Sequence, residues 1–134
     1  VYNGSGLLSG STLEAVNSAA QMKAGLAFWP MLWRNILCNM LVCLAVWGAK
    51  RLSSDSGRLI FAFWCVFTFV LSGFEHSVAN MTTLSMALFQ PNSVLSLGSY
   101  FYVLAVSGLG NIIGGALFVA LPYWIISREP SAKA

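Results

Sequence analysis

Three apolar stretches, separated by short polar and charged segments, organise this chain. The first runs from Gly25 to Ala49, about 25 residues, and would make roughly 37 Å of helix. That length crosses a hydrocarbon core of about 30 Å with some tilt. Residues 1–24 ahead of it are small and polar, rich in Gly and Ser, and read as an extracytoplasmic loop with a short amphipathic approach to the membrane. Ser11 or Thr12 is positioned to cap its first turn, with Glu14 favourable near the N-terminus. The third stretch, residues 98–126, also has the length of a span. Gly110 and Gly114 give it a GxxxG face that admits another backbone at close range, with Asn111 between them, and Pro122 is expected to bend or end the helix beside the interfacial pair Tyr123 and Trp124.

The second stretch, residues 59–89, fits neither one crossing nor two. Leu59 to Gly73 gives roughly 22 Å of helix and Ser77 to Phe89 roughly 20 Å, each too short alone. Between them stand Ser72, Gly73, Glu75 and His76, the chain's only histidine. A broken helix satisfies this pattern, with the backbone freed at Ser72 and Gly73. Irregular backbone and an ionisable pair are tolerated at membrane depth only where they face protein or a cavity.

Charge fixes the orientation. Only 8% of residues are charged and 57% are hydrophobic, against roughly 25% charged in soluble domains. Lys50, Arg51 and Arg58 crowd residues 50–58 with Asp55 alone against them, so that loop is cytoplasmic by the positive-inside rule. Residues 90–97 carry no charge and lie outside, and the tail, 127–134, holds Arg128 and Lys133. The expected architecture is an all-α membrane protein with three transmembrane spans, the second broken, starting outside and ending inside. The formal charge of +3 comes from cations scattered at the ends of apolar runs, which sets topology and gives no nucleic-acid surface. Val1 stands where Met would begin a chain, and residues 1–20 lack the basic head and apolar run of a signal peptide, so the chain is expected to begin within a larger protein.

Candidate chemistry is sparse. Asn39 near the middle of the first span, the cluster Glu75, His76 and Asn80 at the break, and Asn111 in the third span fall at comparable depth. Each asparagine alone reads as interhelical glue; their convergence reads as a shared polar path. An imidazole in an apolar conduit is a proton switch, or else a core histidine bonded to its neighbours. Glu75 reads as a structural carboxylate that ties down the break. Lys23 is either an interfacial flanking cation or an attractor of anions at a vestibule. Arg34 is close enough to the polar face to snorkel. Phe69, seven residues before His76, is expected on the same helical face, where it constricts the path or simply packs. Cys38, Cys43 and Cys65 lie inside apolar runs and read as packing thiols. One histidine and no CxxC pair make neither a metal site nor a haem site, and no nucleophile elbow, phosphate loop or carboxylate pair is present, so neither a cofactor nor an enzyme is expected.

The segments from Gly73 to Met81 (GFEHSVANM), Asn39 to Trp47 (NMLVCLAVW) and Gly110 to Gly115 (GNIIGG) closely resemble the formate/nitrite transporter family, and the resemblance covers nearly the whole chain as that family's C-terminal half. It implies one inverted-repeat half of an aquaporin-like six-span fold, a pore in each subunit of a homopentamer, and placement in the bacterial cytoplasmic (inner) membrane. By the same resemblance His76 corresponds to the central pore histidine, Lys23 to the vestibule lysine, Asn39 and Asn111 to the pore asparagines, and Phe69 and Val42 to the hydrophobic slits. Gly73, Glu75 and Asn80 remain supports of the break. The family's N-terminal half, including the loop that faces the histidine, would have to come from a longer polypeptide or a second piece.

A bare anion crossing an apolar slit pays several kcal/mol or more in desolvation, which a proton shared with His76 would relieve. The expectation is pH-dependent passage of a small monovalent anion, formate or nitrite, through a subunit embedded in the lipid bilayer. A non-transporting membrane-anchor subunit and a neutral-solute channel are the rival classes.

Overall fold

A computed structural model describes residues 9–90, 93 and 95–128, and the regular elements among them are all helical. Helix α1 (Gly10–Ala24) lies in the region expected to be a loop with a short amphipathic approach. It begins after Ser9 in extended backbone, earlier than a cap at Ser11 or Thr12 would place it. The reason is a narrow stripe of small apolar residues: Ala20 is fully buried, and Val16 and Ala24, four residues to either side, pack on the same core. The stripe docks α1 against two later helices, α4 (Ser77–Leu88) and α5 (Leu97–Ile112).

Helix α2 (Phe28–Arg51) has 24 residues and holds an 18-residue window of mean hydropathy 1.4, long and apolar enough to cross a membrane. Pro30 falls in its first turn, where the missing N–H has no intrahelical partner to lose. Lys50 and Arg51 close its last turn, where cations complement the helix dipole.

Helix α3 (Asp55–Leu71) begins four residues before the expected Leu59. Ser54 accepts a hydrogen bond from the Gly57 N–H at 3.2 Å, and Asp55 sits in the favourable first turn, so capping chemistry in the polar loop extends the helix beyond its apolar run. Arg58 holds the turn by donating to the Leu52 carbonyl at 2.8 Å and pairing with Asp55 at 2.9 Å. Helix α3 packs on α2, with the Phe61 ring lying where a side chain at Gly48 would otherwise stand. Its outer face exposes Phe63, Trp64, Phe67, Val70 and Leu71. Apolar exposure of that extent belongs against lipid or a partner surface, not water.

From Leu97 the last helix continues to Arg128, 32 residues that hold an 18-residue window of mean hydropathy 2.0. It comprises α5, a π-helical stretch Ile113–Ala120, and α6 (Leu121–Arg128). Pro122 therefore does not end it. The Leu121 N–H already bonds the Ala116 carbonyl, five residues back, so the widened turns absorb the donor that Pro122 lacks and the helix runs on.

The glycine face of this helix meets α2 of the same chain. A Cβ at Gly110 would lie 2.6 Å from Asn35 Cβ and 2.9 Å from the Leu32 carbonyl oxygen, and one at Gly114 would collide with the Ile36 carbonyl. Further along, Trp47 stacks on Tyr123 with ring centroids 4.0 Å apart. Contacts that advance in step on both helices make α2 and the last helix parallel, so an element of opposite direction must separate them. The core lies among α1, α2, α4 and α5, around Met31, Leu32, Ile36, Leu84 and Val103.

Candidate functional site

The site is built where the helix breaks. After Leu71, Ser72 closes α3 and Gly73 adopts φ +64°, a left-handed conformation that a side chain would strain. The Gly73 N–H then bonds the Val70 carbonyl at 3.1 Å and the Phe74 N–H bonds the Phe69 carbonyl at 3.1 Å, the paired bonds of a Schellman termination. Three residues later His76 caps α4, its Nδ1 accepting from the Ala79 N–H at 3.5 Å. Nδ1 as acceptor leaves the proton of a neutral imidazole on Nε2. The positive end of α4 therefore opens directly at the imidazole.

Glu75 is 6% exposed, and its carboxylate is met by Lys23 from α1, Nζ to Oε2 2.6 Å. Sequence reasoning treated these two as separate features. Nothing in a spacing of 52 residues signals their pairing, which depends on α1 docking as a helix. They share the wall of a cavity of about 390 Å³ with Ala19, Met22, Leu26 and Arg34.

Phe69 stacks on His76 with centroids 5.9 Å apart and planes at 26°. Their neighbourhood was expected from helical periodicity, but the helix is interrupted between them; the Schellman turn brings the rings together instead.

The three asparagines bond across α2, α4 and α5 in two groups, Asn39 with Asn111 and, separately, Asn80 with Ser107. Asn39 Nδ2 donates to the Asn111 carbonyl oxygen at 2.5 Å. With its amide oxygen toward Ser77, Asn111 accepts from the Ser77 N–H at 3.3 Å and from its hydroxyl, and donates to the Asn35 carbonyl at 3.0 Å. Asn80, fully buried, donates to Ser107 Oγ at 3.1 Å and so ties α4 to α5. Sequence reasoning missed Asn35, Ser77 and Ser107. A signal existed: Asn35 precedes Asn39, and Ser107 precedes Asn111, by four residues, one polar stripe on each helix. Val42 is half-buried on α2, three residues past Asn39.

The arrangement sets an imidazole, a helix N-terminus and the Lys23–Glu75 ion pair side by side at the break. Among the described residues no cluster of His, Cys, Asp and Glu is suited to a metal ion.

Comparison with known proteins gives this geometry a family. The family profile described as formate/nitrite transporter matches residues 1–125. The nitrite transporter NirC of Escherichia coli (strain K12) is 36% identical over 124 residues, covering 92% of this chain and 46% of that protein. The probable formate transporter of Methanothermobacter thermautotrophicus is 37% identical over 124 residues, covering 89% of this chain and 45% of its own. Among solved structures, an FNT family ion channel superposes with a TM-score of 0.84 at 34% identity, over 96% of this chain and 51% of that one. A pentameric formate channel with formate bound superposes with a TM-score of 0.76 at 26% identity, over 95% and 58%. The chain thus spans about half the length of the curated relatives it matches. These relatives are transporters and channels, not enzymes. With the family profile matched over residues 1–125, the chain belongs to the formate/nitrite transporter family, whose members are membrane proteins.

Proposed function

We propose that this chain is one three-span half of a pH-dependent channel subunit that passes small monovalent anions, formate or nitrite, across a bacterial cytoplasmic membrane. In this reading α2, the broken pair α3 and α4, and the last helix are the three spans, and a second inverted half completes an aquaporin-like pore within a homopentamer. The observation that carries it is the position of His76: its ring stacks on Phe69 at the opening of α4, one residue from the buried Glu75 that Lys23 neutralises. Phe69 and Val42 act as apolar constrictions that a charged solute crosses poorly. The end of α4 and the nearby cations favour the anion up to the constriction. There His76 donates or relays a proton, so that a neutral weak acid makes the crossing, while Asn39, Asn111 and Asn80 hold the helices in register and offer amide groups along the route.

Glu75, next to His76 in sequence, is balanced by Lys23, so the pair adds no net charge beside the imidazole. Uptake of labelled formate and nitrite into proteoliposomes at two pH values tests the reading. His76→Phe should abolish the pH dependence; a mutant profile that matches the wild type would sink the role of the histidine, and wild-type protein that passes neither anion would sink the transport reading.

A further inference from the structure

The cavity beside the break carries three charged side chains, and two of them cancel. Lys23 Nζ lies 2.6 Å from Glu75 Oε2, so the pair presents a dipole and no net charge to an arriving solute. Arg34 stands on the same wall, exposed, and makes no ion pair or hydrogen bond among the described residues. It sits about 9 Å into α2, next to exposed Trp33 and just before the buried Asn35 and Ile36. The remaining wall residues Ala19, Met22 and Leu26 carry no charge, and apolar walls of low dielectric lengthen the reach of an unpaired cation.

We propose that Arg34 joins Lys23 in recruiting the anion into this mouth and sets its preference for planar oxyanions. This rests on the anion-passage reading above. A guanidinium presents coplanar N–H donors in a fixed fork that matches two oxygens of a carboxylate or of nitrite, whereas a monatomic or hydrosulfide anion meets only its charge. The paired Lys23 then becomes the next station, where the incoming anion competes with Glu75 for the ammonium.

The test uses the protein at its native length in proteoliposomes, with KM and maximal flux measured for formate, nitrite and hydrosulfide at low and high ionic strength. Arg34→Gln should raise KM for formate and nitrite by about tenfold, leave maximal flux unchanged and remove the salt dependence of KM. Arg34→Lys should restore the salt dependence but not the preference for formate over hydrosulfide. If R34Q fails to reach the membrane, Ala19→Glu adds a carboxylate to the same wall and should raise KM likewise. Unchanged KM and salt dependence in either variant overturns the inference and leaves the transport reading standing. So does a variant that loses bound phospholipid or thermal stability at constant KM, since Arg34 would then hold a lipid phosphate. Wild-type protein without anion flux overturns both.

Discussion

Lys23 and Glu75, 52 positions apart, meet at 2.6 Å between helix α1 and the break that separates α3 from α4. Lys23 is 22% exposed at the side chain and Glu75 8%, so each would be left as a charge largely without solvent if the other were removed. Lys23→Gln and Glu75→Gln should therefore each lower thermal stability, while the double variant recovers part of the loss. The expected coupling energy is about 1–3 kcal/mol in a double-mutant cycle read from unfolding in detergent. Strict additivity would mean that the two charges do not support one another.

The break rests on Gly73 in a left-handed conformation with no atom within 4 Å of where a Cβ would stand. Gly73→Ala then carries a backbone penalty alone, about 1–2 kcal/mol. Gly73→Asn should lose less, because asparagine tolerates that region better. Differential scanning of the two variants checks the order; equal losses would point to packing instead of backbone.

How much of this was legible in the sequence depends on the residue. The interruption at Ser72 to His76 was visible because glycine and two ionisable groups conflict with an apolar run. The close approach at Gly110 and Gly114 was visible too, though which helix approaches was not: parallel α2 is chosen by tertiary packing that spacing does not encode. The extent of helix α1, read as a short amphipathic approach after a loop, was not visible because its buried stripe of Val16, Ala20 and Ala24 is small and weakly apolar. The Lys23 and Glu75 contact was lost along with it. Of the bend or stop read at Pro122, the stop fails because the local rule ignores the π-helical turns that precede it.

Asn80 and Ser107 are both fully buried and share one hydrogen bond of 3.1 Å, while Asn80 Oδ1 has no partner among the described residues. Asn80→Leu should cost about 1–2 kcal/mol by stranding the serine hydroxyl, and adding Ser107→Ala should recover most of it. Thermal unfolding of the pair of variants decides this; no recovery in the double variant would show that shape, not hydrogen bonding, dominates at the contact.

Glycines along the last helix are not equivalent. A Cβ at Gly108 meets nothing within 4 Å, whereas one at Gly114 runs into the Ile36 carbonyl. Gly108→Ala should be neutral or stabilising by up to about 1 kcal/mol. Gly114→Ala should destabilise by about 1–3 kcal/mol as α2 is forced away. Parallel melts of the two proteins test the contrast, and a tolerant Gly114 would mean that the helices separate without penalty.

That contact has a genetic corollary. At Gly114 the obstacle is main chain, which every amino acid at position 36 carries alike, so no exchange of the Ile36 side chain can act as a suppressor of a lesion there. At Gly115 the obstacles are Asn39 Nδ2 at 2.7 Å and Cys43 Sγ at 3.0 Å, both removable, and revertants of a Gly115 lesion should map to those two codons.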